Sequence, residues 1–140
     1  MINELIDGIS VKLNAVFGDG KNIYSEKVEQ GLEVPCFFIA LLAVSQTPRL
    51  KGRYLRRHSF DISYYPEATA INSEMEAVAD SLFEALEYIT LANGDKLRGA
   101  AMSYKIADGV LRFFVSYEVH VVRVEALEDM DSISVGAGLG

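Results

Sequence analysis

From Leu97 to Val124 the chain alternates apolar and polar positions in two runs, separated by Ala107-Asp108-Gly109. Met102, Tyr104 and Ile106 precede the break; Leu111, Phe113, Val115, Tyr117, Val119 and Val121 fill every second position after it. Alternation sends successive side chains to opposite faces of a strand. Asp-Gly accepts the positive φ that a tight hairpin turn needs. A β-hairpin is therefore predicted here. Its second strand, Val110 to Val124, would span roughly 50 Å at about 3.3 Å per residue. A small domain does not cover that length, so the strand must bend or reach beyond its own domain. One face is apolar over six positions. The other mixes Val110, Arg112, Phe114, Ser116, Glu118, His120 and Val122.

Elsewhere the period changes. Ile2, Leu5, Ile6, Ile9, Leu13, Val16 and Phe17 fall on one side of a helical wheel over residues 2–17, and Gly18-Asp19-Gly20 ends the run. Val11 points the other way and is predicted to be exposed. Ile23–Val28 fits a short edge strand. Cys36–Val44 is apolar on both faces, which predicts a central strand covered on both sides. Pro48 and Gly52 punctuate a loop over 45–53. Tyr54–Tyr65 alternates again until Pro66 stops it. Met75, Val78, Ala79, Leu82, Phe83, Leu86 and Ile89 predict a second helix over 73–89, with Ser73 and Glu76 at capping-box spacing. Asn93-Gly94-Asp95 turns the chain into the hairpin.

The order α-β-β-β-α-β-β with short links predicts an α+β two-layer sandwich. Its sheet is mostly antiparallel, of about five strands, with two helices on one face. The other face is left partly apolar and in need of cover. Residues 1–124 read as a single α+β domain. Residues 125–140 read as an acidic, glycine-ended, flexible C-terminal tail.

Composition narrows the function more by exclusion. The chain has 140 residues, half of them hydrophobic, enough for a real core. No apolar run approaches the ~20 residues that span a bilayer. Met1-Ile2-Asn3-Glu4 lacks the basic region of a signal peptide. The single cysteine excludes an internal disulfide framework and fits a reducing compartment. A soluble, cytoplasmic protein is expected. Net charge is −7, and Glu125, Glu128, Asp129 and Asp131 place four of those charges in the tail. That balance argues against a dedicated nucleic-acid binder.

Chemistry-bearing patterns are scarce. Cys36 stands among Pro35, Phe37 and Phe38, the setting of a core thiol. His58 and His120 have no Cys or His at metal-ligand spacing. Gly18-Asp19-Gly20 lacks the pattern of a phosphate-cradling loop. No catalytic, metal or cofactor-binding residue is predicted, and a cofactor is not expected. Two charge features are more specific. Arg49, Lys51, Arg53, Arg56 and Arg57 crowd into nine residues. Glu76, Asp80, Glu84 and Glu87 make one stripe of the second helix. A solvated face, contact between the basic loop and an acidic surface on another subunit, and contact with phosphates all fit these charges. With the long strand and the uncovered sheet face, they favour a cyclic homo-oligomer. Phe114 and Val122, on the mixed face of the long strand, join the candidate interface.

Several stretches resemble the small tail terminator, or tail-completion, proteins of phages and phage-like elements of Gram-positive bacteria. They are residues 1–6, Val34–Ile39, Arg53-Tyr54, Phe60–Pro66, Leu82–Ile89 and Asp108–Val115. The resemblance covers roughly residues 1–124 and leaves out the tail. It implies an α/β subunit of a ring, often hexameric, on the head-proximal end of the tail tube. Such a ring stops tube polymerisation and offers a surface to the head connector; in contractile tails it also meets the last sheath ring. The expected partners are therefore further copies of the chain, the tail tube protein, the sheath protein and head connector proteins. No membrane or sequence-specific nucleic acid is expected, though DNA can pass through the lumen. The expected location is the tail of a virion or phage-like particle, assembled in the bacterial cytoplasm. A head–tail connector completion protein is the alternative. A small-ligand-binding or enzymatic α+β domain is a further one.

Overall fold

The computed structural model describes residues 1–18, 20–25, 33–67, 72–125 and 133–136. Its elements run α1 (Ile2–Phe17), β1 (Asn22–Ser25), β2 (Cys36–Pro48), β3 (Arg53–Tyr65), α2 (Asn72–Ala85), β4 (Tyr88–Thr90), β5 (Lys96–Ala107), β6 (Val110–Glu125) and β7 (Ile133–Gly136). The fold is α+β with two helices, as predicted. The sheet has more strands than predicted. Six follow the order β1-β2-β3-β6-β5-β4, and β7 pairs with the end of β6. Both added strands were hidden: β4 lies in the stretch predicted as the end of the second helix, and β7 lies within 125–140.

The sheet is mixed. β1 and β2 are parallel, and the other pairs are antiparallel. The connection over 26–35 is too long to force a hairpin, so adjacency in sequence does not set direction there. The central strands are β3 and β6, not the Cys36–Val44 run. In β2 only Cys36, Phe37 and Ile39 are fully buried, while Leu42 and Val44 are about half exposed. The apolar run outlasts the helices above it. The predicted loop over 45–53 shrinks to Arg49–Gly52, because β2 continues to Pro48 and β3 begins at Arg53.

Register explains the core. Tyr64, Ile62 and Phe60 of β3 stand opposite Leu111, Phe113 and Val115 of β6. On the other flank, Phe37, Ile39 and Leu41 of β2 face Tyr64, Ile62 and Phe60. This face packs with Leu5, Ile9 and Leu13 of α1 and Met75, Ala79 and Leu82 of α2. The sheet curls so that α1 reaches both β1 and β4, its two outer strands. Val11 is exposed, as its position on the wheel predicts. The β5–β6 hairpin forms as predicted: Asp108 and Gly109 have φ of 53° and 74°, and Ala107 pairs with Val110. All six alternate residues from Leu111 to Val121 are buried.

Helix α2 ends at Ala85, short of the predicted Ile89, for tertiary reasons. The Tyr117 hydroxyl donates to the Leu86 carbonyl at 2.6 Å. The Gly99 amide donates to the Glu87 carbonyl at 2.7 Å. Strands β5 and β6 thus satisfy the carbonyls that end the helix, and Tyr88–Thr90 joins β5. At its other end α2 begins at Asn72, which puts Ser73 inside the first turn rather than at the cap.

Candidate functional site

Strands β2, β3 and β6 run together past the helical layer and form an arm. Its tip is Arg49-Leu50-Lys51-Gly52. Lys51 and Gly52 take positive φ of 59° and 71°. The Arg49 amide donates to the Arg53 carbonyl at 2.7 Å, and the Arg123 amide donates to the Gly52 carbonyl at 2.8 Å. A Cβ on Gly52 would lie 2.9 Å from the Arg123 carbonyl oxygen, so only glycine lets the tip close on β6. The Arg123 guanidinium stacks over Tyr54 at 4.9 Å. This arm accounts for the length of β6: Arg53–Tyr64 pairs with Leu111–Val122 over one uninterrupted ladder.

The five basic residues of the sequence cluster all lie on the arm, but not on one surface. Strand alternation divides them. Arg53 and Arg57 face away from the helices, and Arg56 shares the helix-bearing face with His58 and Phe60. Arg49, Lys51 and Arg53 line an open cleft of about 490 Å³ with Leu50 and His120. Arg56 lines a second cleft, of about 520 Å³, with Met1, Ile2, Asn3, Val44 and His58. Its guanidinium is held by the Gln46 side-chain oxygen at 2.7 and 3.1 Å. Among the described residues, no carboxylate pairs with any of the five. They give both faces of the arm positive charge.

The acidic row lies elsewhere. Glu76, Asp80 and Glu84 are exposed along α2, opposite its buried side of Met75, Ala79 and Leu82. Glu87 leaves the row, because the helix has ended; its carboxylate meets Arg98 at 3.5 Å. Both partners are largely solvated, so this pair contributes little to stability. Basic arm and acidic helix do not meet within one chain among the described ion pairs.

Phe114 and Val122 lie on the sheet face turned away from the helices, and both are half-buried. Between such apolar flanks the centre of that face is polar. Ser59 and Ser116 hydroxyls lie 2.9 Å apart, and the Ser63 hydroxyl donates to Asp61 at 3.0 Å. Arg112 approaches the buried Asp61 at 3.7 Å.

Sequence reasoning missed three features of this region. His58 is buried beside Tyr117, and its Nδ1 has no partner among the described residues. Burial first, then the charges of Arg56 and the N-terminal amine, hold its pKa below the usual histidine value. It is therefore neutral near pH 7. Gln46 as the holder of Arg56, and Arg123 as the residue closing the tip, carry no short-range signal; they meet the cluster through strand register alone. Burial pushes the Cys36 thiol up as well, which disfavours its thiolate. Among the described residues no group of three His, Cys, Asp or Glu could hold a metal ion. Nor is any described helix long and apolar enough to cross a membrane.

A family model described as phage tail terminator protein matches residues 4–129 of the chain. No curated protein matches it.

Proposed function

We propose that this chain, which belongs to the phage tail terminator protein family, assembles as a ring that caps the head-proximal end of a tail tube and joins it to the head connector. The family match over residues 4–129 carries this reading. It spans β1 through β6, α2 and most of α1. The role is structural and needs no cofactor. The resemblance described above makes a hexamer the expected ring.

Two features support a ring. The basic arm and the acidic row of α2 are unlike surfaces on one chain, and unlike surfaces joined head to tail close into a ring when the rotation between copies allows it. Half-buried Phe114 and Val122 leave apolar area for a neighbour. The partners are further copies of the chain, the tail tube protein, the connector proteins and, in a contractile tail, the last sheath ring. DNA would pass through the lumen without being read. The chain is then a tail component of a virion or phage-like particle.

The test is tail assembly with and without the chain, scored by electron microscopy. Without it, tubes should overrun their normal length and carry no heads, and restoring the chain should reverse both. Tubes of normal length that merely lack heads would move the role to a connector completion protein. Normal, headed tails would end the reading.

A further inference from the structure

The cleft of about 520 Å³ where the start of α1 meets the arm gathers polar groups that the fold leaves unused among the described residues. Its apolar wall includes Ile2 and Val44, both exposed. Its polar wall is Asn3, Arg56 and His58. His58 is only 2% exposed, yet its Nδ1 has no hydrogen-bond partner. Folded proteins pair nearly all their buried polar atoms, so an exception calls for a reason. Arg56 Nε and Nη2 both donate to the Gln46 oxygen, which fixes the guanidinium and leaves Nη1 without a partner among the described bonds. The charges facing His58 do not cancel. From α1 the Met1 amine faces it, already paired with Glu4 at 2.6 Å. From β3 comes Arg56, with no carboxylate among the described ion pairs. Strand β2 contributes the uncharged Val44, and β6 contributes Tyr117, whose hydroxyl is held by the Leu86 carbonyl.

We propose that this cleft is a carboxylate socket: it receives an acidic side chain from the α2 row of a second copy, held by Arg56 and His58. This rests on the ring reading above and names the contact that would build it. A carboxylate offers two acceptor oxygens in one plane, one for Arg56 Nη1 and one for an N–H on His58 Nδ1. Hydrogen bonds to an ionised group are also the strong ones.

Charge complementarity points to a second copy as the occupant. Glu76, Asp80 and Glu84 are exposed along α2, and none of them is in an ion pair among the described residues. Ala77, exposed beside them, is small, so it does not hold the row away from a partner. The cleft belongs to α1, β2 and β3, whereas α2 packs over β5 and β6. Socket and row therefore lie over different strands of one sheet face, as a head-to-tail contact between copies requires. Arg53 and Arg57, on the opposite face, take no part. The arriving carboxylate favours the imidazolium of His58, so joining takes up a proton. Association should then strengthen as pH falls from about 8 to about 6, a range in which the row stays ionised.

The full chain tests this by sedimentation over a range of concentrations at both pH values. The wild type should gain mass with concentration, and more readily at the lower pH. Arg56→Glu should weaken association about tenfold or more, and adding Asp80→Arg and Glu84→Arg to that variant should restore it. Arg57→Glu makes the same change of charge on the opposite face and should leave association as it was. His58→Gln should remove the pH dependence. Circular dichroism checks that each variant keeps its fold, and the exposed acidic row keeps the charge swap readable should the buried His58 not tolerate replacement. A wild type still monomeric at about 1 mM overturns the proposal. So does association that is equal at the two pH values, an Arg57→Glu chain weakened as much as Arg56→Glu, or a charge swap that fails to restore assembly. Each of these leaves the terminator reading to its own assay, tube length; a working socket with normal, headed tails in the chain's absence would instead end that reading alone.

Discussion

Gly99→Ala should be far more destabilising than a single methyl suggests. A Cβ at Gly99 would lie 2.5 Å from the Leu86 carbonyl oxygen, 3.0 Å from Val115 Cγ2 and 3.4 Å from Met102 Sδ. The first neighbour is backbone and cannot rotate away. It is pinned by the Tyr117 hydroxyl at 2.6 Å, and the next peptide is held by the Gly99 amide at 2.7 Å. To make room, the turn after α2 must retreat from β5, which strips the buried Tyr117 hydroxyl of its acceptor. Overpacking costs about 1–3 kcal/mol, and a buried hydroxyl left unpaired costs about 1–3 kcal/mol more. The same displacement causes both, so a total of about 2–5 kcal/mol is expected. For a chain of this size that lowers Tm by about 6–20 °C. The assay is thermal and urea unfolding at low protein concentration, where self-association does not add to stability. Tyr117→Phe alone should cost about 1–2 kcal/mol. Because both changes act on the Leu86 carbonyl, the double variant should fall short of their sum by more than about 0.5 kcal/mol. A Gly99→Ala chain within about 0.5 kcal/mol of wild type, or strict additivity, would refute the reasoning.

Three further outcomes follow from the geometry. The folded pKa of His58 is held below the ordinary value of 6.5, so as pH falls the unfolded chain binds this proton first. Its contribution is fully present above that value and is lost as pH falls from there toward the lowered folded pKa; urea midpoints should show this loss, and His58→Phe should flatten it. Gly52→Ala combines a φ of +71° with a Cβ 2.9 Å from the Arg123 carbonyl oxygen. A strain of about 1–2 kcal/mol should open the arm tip, seen as faster exchange of the Arg123 amide with a smaller drop in Tm than Gly99→Ala gives. Phe83 packs edge-on to Phe113 at 5.0 Å and Tyr104 at 5.9 Å. Phe83→Ala should cost about 2–4 kcal/mol by urea unfolding, below the full range for an entirely buried ring.

The sequence by itself determined what local periodicity can carry. It placed α1, the start of α2, the β5–β6 hairpin with its Asp108-Gly109 turn and the buried face from Leu111 to Val121. It also showed both charge groups and the family resemblance. These depend on neighbours within a few residues: a repeat of two or 3.6, or a turn that needs positive φ.

Tertiary structure decided the rest. Leu86–Thr90 continues a helical apolar pattern, yet hydrogen bonds from Tyr117 and Gly99 end the helix at Ala85. Cys36–Val44 is apolar throughout, but hydropathy does not say where the covering helices stop, and its last three residues are exposed. The basic cluster reads as one patch along the chain. Strand alternation puts Arg53 and Arg57 on one face and Arg56 on the other, and register alone brings Gln46 and Arg123 to them. A period names the face on which a side chain lies; what meets that face is set by pairing partners remote in sequence.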